Sequence, residues 1–208
     1  MNNLEDILAS SKDFKSYAQA YIEHLFDVLQ NLDKEALLNF EREIELVKES
    51  GTRMFIAGNG GSSATASHIT NDFGMLNQKG QKLTGKPFKL IALTDNMPII
   101  TAIANDFGYD DIFSRQLELN YQPGDSLLVI SASGNSENLV RAATFVKNKG
   151  GKVYGFLGFD GGKLHTMCDV SIIAKTAKGE YGPVEDVHMI LDHLFYSWFH
   201  HKTFRNAN

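Results

Sequence analysis

The sequence is short of several features, and each shortage removes a class of protein. Cys168 is the only cysteine, which excludes an internal disulfide, fits a reducing compartment and leaves a buried, unreactive thiol as its expected state. No apolar stretch approaches the ~20 residues that a membrane-spanning helix needs. The first residues, Met1 to Phe14, carry Glu5, Asp6, Lys12 and Asp13 where a signal peptide requires an unbroken apolar segment. The expectation is a cytoplasmic protein without membrane contact. Positive charge is scarce and scattered: 20 Lys and Arg against 25 Asp and Glu give a formal charge of −5. No basic stripe follows a helical face, so nucleic acid is not an expected partner. The glycine signatures GxGxxG and GxxxxGK[ST] are both absent, which argues against a nucleotide ligand. There is no internal repeat and no low-complexity segment.

At 208 residues the chain can hold one α/β domain with a helical extension and is short for two independent enzyme domains. The apolar period changes at Gly51. Before it, Tyr17, Ala20, Tyr21, His24, Leu25, Val28 and Leu29, then Leu37, Phe40, Ile44 and Val47, recur at helical spacing. After it come apolar runs at Met54 to Ala57, Phe88 to Leu93, Ser126 to Ile130, Val153 to Leu157 and Val170 to Ala174. Helical patterns separate them at Ser62 to Met75, Met97 to Asn105 with Asp111 to Asn120, Ser136 to Asn148, Lys163 to Cys168 and Val184 to His201. Short runs alternating with helices predict a parallel sheet with crossover helices. Residues 1–50 read as a helical extension and 51–208 as the sheet domain, with a polar loop at Asn77 to Lys86.

Two strand ends carry the most information, Gly58-Asn59-Gly60-Gly61-Ser62-Ser63 and Ser131-Ala132-Ser133-Gly134-Asn135-Ser136. Small residues let the backbone turn tightly and present bare N–H groups to an anion, and serine hydroxyls add donors. An ordinary strand-to-helix loop with a Ser or Asn N-cap has the same composition. In open parallel sheets ligands gather at such strand ends, so a small phosphate ester is the natural candidate. Elsewhere, His68 and Asp72 are four apart on one helical face, which is metal-ligand spacing. Glu185, His188, Asp192 and His193 crowd the last helix. His24 and His165 have no acidic partner at helical spacing, and His200 and His201 fall on a polar terminus.

The first turn followed by His68, the run Asn105-Asp106-Phe107-Gly108, the segment Ser133-Gly134-Asn135-Ser136 and a closing helix with His188 and His193 together resemble the sugar isomerase (SIS) domain family. Within it they resemble the phosphoheptose isomerases. The resemblance implies a five-stranded parallel sheet flanked by helices and a homotetramer with sites at subunit interfaces. It also implies interconversion of sedoheptulose 7-phosphate and D-glycero-D-manno-heptose 7-phosphate through an enediol. It places the phosphate on Ser131, Ser133 and Ser136, with Asn59, Gly60 and Ser62 contributing from the first turn, and Asp95 with Asn105 and Asp106 near the sugar hydroxyls. It assigns zinc to His68, Asp72, Glu185 and His193, with Asp72 as general base and His193 as its acid partner. Glu185 is also a substrate contact and reserve base, and His188 is an interface or supporting residue.

The chain departs from the family pattern at Thr65, at Gly74-Met75-Leu76, at Ala132 and at Tyr181-Gly182-Pro183, and Asp72 and Glu185 replace glutamate and glutamine. These changes point to a diverged branch acting on a related phosphosugar. The alternative is a non-catalytic SIS protein that binds a replication initiator. Such relatives lack the acid histidine, whereas His193 is present here.

Overall fold

A computed structural model describes residues 3–80 and 86–205. Three helices lead the chain: α1 (Asn3–Ser10), α2 (Phe14–Gln30) and α3 (Lys34–Ser50). Their ends are specified locally. Asp13 and Ser16 form a reciprocal capping box at the start of α2, Asp33 accepts hydrogen bonds from the Glu35 and Ala36 N–H groups, and Gly51 closes α3 at φ 74°. There follow β1 (Met54–Gly58), α4 (Gly61–Gly80), β2 (Leu90–Ala92), α5 (Met97–Asp106), a single 3-10 turn at Tyr109–Asp111 and α6 (Ser114–Asn120). The remainder is β3 (Ser126–Ser131), α7 (Glu137–Asn148), β4 (Lys152–Gly158), α8 (Gly162–His165), β5 (Val170–Ala174) and α9 (Tyr181–Arg205).

The sheet has five parallel strands in the order β2-β1-β3-β4-β5, the architecture read from the sequence. It is buried on both faces, so its strands are continuous apolar runs. Alternation along β1 sends Met54 and Ile56 to a core shared with α2, α3, α4 and α9, and Phe55 and Ala57 to a second core under α5, α6 and α7. Edge-to-face contacts of Phe40 with Phe156 and Phe195, each at 5.0 Å between ring centroids, lock α3 and α9 onto β4. Strand order reverses between β1 and β3, so a crevice opens where the two glycine- and serine-rich turns emerge.

Several expected boundaries shift. The edge strand is shorter than Phe88 to Leu93. The stretch expected as a loop from Asn77 begins inside α4, and residues 81–85 of it lie outside the described residues. Asn77 closes that connection by bonding both backbone groups of Phe88, and Lys86 donates to the Glu49 and Ser50 carbonyls at the end of α3. The last helix starts three residues before Val184, because Pro183 falls in its first turn, where no intrahelical N–H is needed. It continues to Arg205, so His200 and His201 belong to the helix rather than to a frayed end. His24 has a partner after all: it meets the fully buried Glu180 at 2.9 Å, and Tyr21 donates to Asp186 at 2.6 Å, which fastens α2 to the start of α9. Cys168 packs near Gly155, and burial pushes its thiol up to about 12. Among the described residues no helix is long and apolar enough to cross a membrane.

His188 is sealed in the core of this chain rather than at an interface. It is 1% exposed, Nε2 donates to the Leu157 carbonyl at 3.1 Å, and Nδ1 has no partner. Burial lowers its pKa to about 4 from 6.5. Between those values the unfolded chain takes up a proton that the folded one refuses, so stability falls as pH drops through that window, by about 3 kcal/mol in total. Chemical denaturation across pH 4 to 8 should therefore show a shallower acid loss in His188→Leu than in the parent, by about that amount.

Candidate active site

The serine-rich turn after β3 is shaped by its glycine. Gly134 has φ +62°, and a Cβ there would collide with the Gly161 carbonyl, so only glycine lets this turn lie against the turn after β4. The Leu164 N–H bonds the Gly134 carbonyl at 3.0 Å, and the Lys163 N–H bonds Asn135 Oδ1 at 3.1 Å, which braces the turn from α8. Within it, Ser131 Oγ accepts the Gly134 N–H at 3.1 Å and Ser133 Oγ accepts the Asn135 N–H at 3.3 Å. Each hydroxyl thereby keeps its own O–H to donate. Ser136 stands at the N-cap of α7 without making a side-chain cap bond, so its hydroxyl is likewise uncommitted there.

These groups face an open cavity of about 210 Å³ lined by Asn59, Ser62, Ser131, Ser133, Ser136, Tyr181 and Glu185, with Ile130 and Ala132 beneath. Hydroxyl donors together with the N-terminus of α7 make its serine side suited to an anion. Asn59 serves mainly to tie the turns together. It exchanges amide hydrogen bonds with buried Asn138 at 3.0 and 2.9 Å and accepts the Tyr109 hydroxyl at 2.8 Å. Gly60 supplies a left-handed residue at φ +55° that starts α4. Asp95 lies at the end of β2, bonded by the Ser67 hydroxyl of α4, and is not among the cavity-lining residues. Asn105 and Asp106 are exposed and bond one another at 2.8 Å.

Further along the same helices is a second group. His68 and Asp72 of α4 meet Asp192 and His193 of α9, with one potential ligand atom from each residue all within 4.8 Å of one another. His68 Nδ1 lies 2.7 Å from Asp192 Oδ2 and 3.9 Å from Asp72 Oδ2, and the His68 and His193 rings are 5.2 Å apart. Asp192 is buried, and its Oδ1 has no hydrogen-bond partner. Burial raises the pKa of its carboxyl, the His68 hydrogen bond opposes that, and the neighbouring Asp72 carboxylate pushes it up again.

The structure therefore groups three of the four ligands that the resemblance implied and leaves Glu185 out. Glu185 sits seven residues before Asp192, about 10 Å along the helix axis. Its carboxylate presses against Gly61 so closely that any Cβ there would clash. Of the expected ligands His68, Asp72, Glu185 and His193, Glu185 lines the serine cavity, and Asp192 stands as the fourth member of the His68 group. Helical spacing puts Asp192 on one stripe with Glu185 and buried His188; its meeting with His68 depends on how α4 and α9 pack. Two imidazoles and two carboxylates are a donor set that zinc and related divalent ions accept, and an unpartnered buried oxygen among them fits such an ion.

Comparison with known proteins identifies the family. The SIS domain family matches residues 20–158. The phosphoheptose isomerase of Aneurinibacillus thermoaerophilus is 34% identical over 200 residues, covering 91% of this chain and 96% of the relative. That of Aliarcobacter butzleri is 31% identical, covering 88% and 90%. A solved phosphoheptose isomerase structure from Neisseria gonorrhoeae superposes with a TM-score of 0.77 at 25% identity, covering 89% of this chain and 97% of that one. A sheet that reverses at two anion-ready turns, two helices that converge beside them, and matches spanning most of the sequence lead to one assignment: the chain belongs to the SIS domain family.

Proposed function

We propose that the protein is a phosphoheptose isomerase that interconverts sedoheptulose 7-phosphate and D-glycero-D-manno-heptose 7-phosphate in the cytoplasm. The observation that carries this reading is the pairing, along α4 and α9, of a serine cradle with an imidazole and carboxylate group about two helical turns away. The relatives described above bear the isomerase name, which favours catalysis over the non-catalytic, initiator-binding alternative.

The phosphate rests on the Ser131, Ser133 and Ser136 hydroxyls and the start of α7, which need no lysine or arginine because several short hydrogen bonds to an anion add up. Ser62 and Asn59 border the same cavity, and Glu185 faces the sugar and accepts from its hydroxyls. The chain of the sugar then runs toward α4 and α9. Conversion of the ketose needs a proton taken from C1 and one given to the C2 oxygen to form the enediol, then the O1 proton removed and C2 protonated. Asp72 takes and returns the carbon-bound proton. His193, exposed at the same group, moves the proton between the two oxygens. A zinc ion held by this group would supply Lewis-acid polarisation of the substrate carbonyl, and Asp72 and His193 would move protons only with the lone pairs used for that transfer free of the ion.

A homotetramer belongs to the same reading. Ile190, Leu194 and Trp198 recur every four residues along α9 and are exposed, as are Ile22 and Phe26 on α2. His193 lies beside this apolar face, so a second protomer seated there would also wall the active site.

Three measurements test the proposal. Followed by NMR, sedoheptulose 7-phosphate should be converted by the parent and at least 100-fold more slowly by Asp72→Asn and His193→Ala; no conversion by the parent, with or without zinc, would sink it. Ser131→Ala and Ser136→Ala should raise KM about tenfold with kcat little changed, because each removes one hydrogen bond to a charged group, about 1.5 kcal/mol. Light scattering should give the parent a mass near four times its 23.1 kDa chain, and Leu194→Glu a smaller species.

A further inference from the structure

We infer that Asp192, and not Glu185, is the second carboxylate of the metal centre in this chain, so that the ligand set is His68, Asp72, Asp192 and His193 while Glu185 is free to act on the sugar. The inference rests on the proposal above that this group holds a divalent cation.

Position is the first argument. Asp192 touches His68 at 2.7 Å and belongs to a group whose candidate ligand atoms lie within 4.8 Å of one another. Glu185 lies two helical turns away with its carboxylate pressed on the start of α4. Within one protomer it would have to leave the serine cavity altogether to reach the group.

Charge balance is the second. Asp192 has a side chain with no exposure, one oxygen bonded by His68 and the other with no partner. A buried polar group left unsatisfied costs about 1–3 kcal/mol, and more when charged. Asp72 adds a second carboxylate beside it. Two carboxylates and two neutral imidazoles balance one divalent cation. With Glu185 as ligand instead, Asp192 would stay under the ion as a third, uncompensated carboxylate. The direct set also spans the boundary of the molecule, with Asp192 bringing its oxygens from the core side and His193 its ring from the exposed side.

The experiment measures zinc affinity by competition with a chromophoric chelator, and the visible spectrum of the Co(II)-substituted protein, for the parent, Asp192→Asn and Glu185→Gln. Expected is a loss of zinc affinity of more than 100-fold with altered Co(II) bands in Asp192→Asn. In Glu185→Gln, zinc affinity should stay within threefold and the bands should be unchanged, while KM for the sugar phosphate rises. The reverse pattern overturns the inference and leaves a metal-dependent isomerase standing. Co(II) bands unchanged in Asp192→Asn, with affinity down only tenfold, also overturn it, because Asp192 then merely orients His68. A parent that converts the sugar and binds no zinc overturns both the inference and the metal part of the proposed function. Should Asp192→Asn fail to fold, the Glu185→Gln spectrum decides: unchanged bands support the assignment and altered bands refute it.

Discussion

The packing of α4 against α9 is the constraint on which the site depends. Neither helix carries a complete set of functional groups. α4 begins at the first glycine turn and brings His68 and Asp72; α9 closes the chain and brings Glu185, Asp192 and His193. Two of the contacts between them are unlike. At one, the Glu185 carboxylate approaches the Gly61 backbone so closely that a methyl group would block it. At the other, a buried aspartate holds an imidazole. Beside them Phe73 of α4 packs edge-on against Tyr196 and Phe199 of α9, at 6.4 and 6.0 Å between ring centroids, so an apolar seam between the helices helps to set how far the His68 group stands from the serine turn.

The sheet supplies the second half of that frame. Because strand order reverses between β1 and β3, the chain leaves the sheet in opposite directions after the two strands, and both turns are left uncovered. The amide exchange between Asn59 and Asn138 joins those turns without using charge, so the polarity of the crevice comes from serine hydroxyls, a helix terminus and, at its α9 side, the Glu185 carboxylate. The N-terminal helices contribute from outside. Through Tyr21 and His24 they hold the first turn of α9, the turn that carries Tyr181 and leads into Glu185. This gives the extension a part in arranging the site although none of its described residues lines the serine cavity.

Most of this was legible in the sequence where the cause is local. Apolar runs of strand length, the change of period at Gly51 and the two small-residue turns were enough for the parallel sheet and for the position of the crevice, because each reflects short-range backbone preference. The His68 and Asp72 pair was legible for the same reason, four residues on one helix. What was not legible depends on which side chains of distant helices meet. Glu185 and His193 share a helix, and spacing cannot say that one faces the serines while Asp192 faces His68. The partner of His24 lies 156 residues away, beyond any periodic pattern. The last helix, expected from Val184, begins at Tyr181 because its first turn tolerates Pro183.

The lone thiol has a practical consequence. With its pKa pushed up to about 12, Cys168 holds roughly three orders of magnitude less thiolate at neutral pH than an ordinary exposed cysteine. Maleimide reagents react through the thiolate, so they would pass over it and label a cysteine placed at a chosen surface position. Fluorophores set in this way on α2 and α9 could report the approach of one helix to the other in the otherwise native protein, with no thiol to remove first.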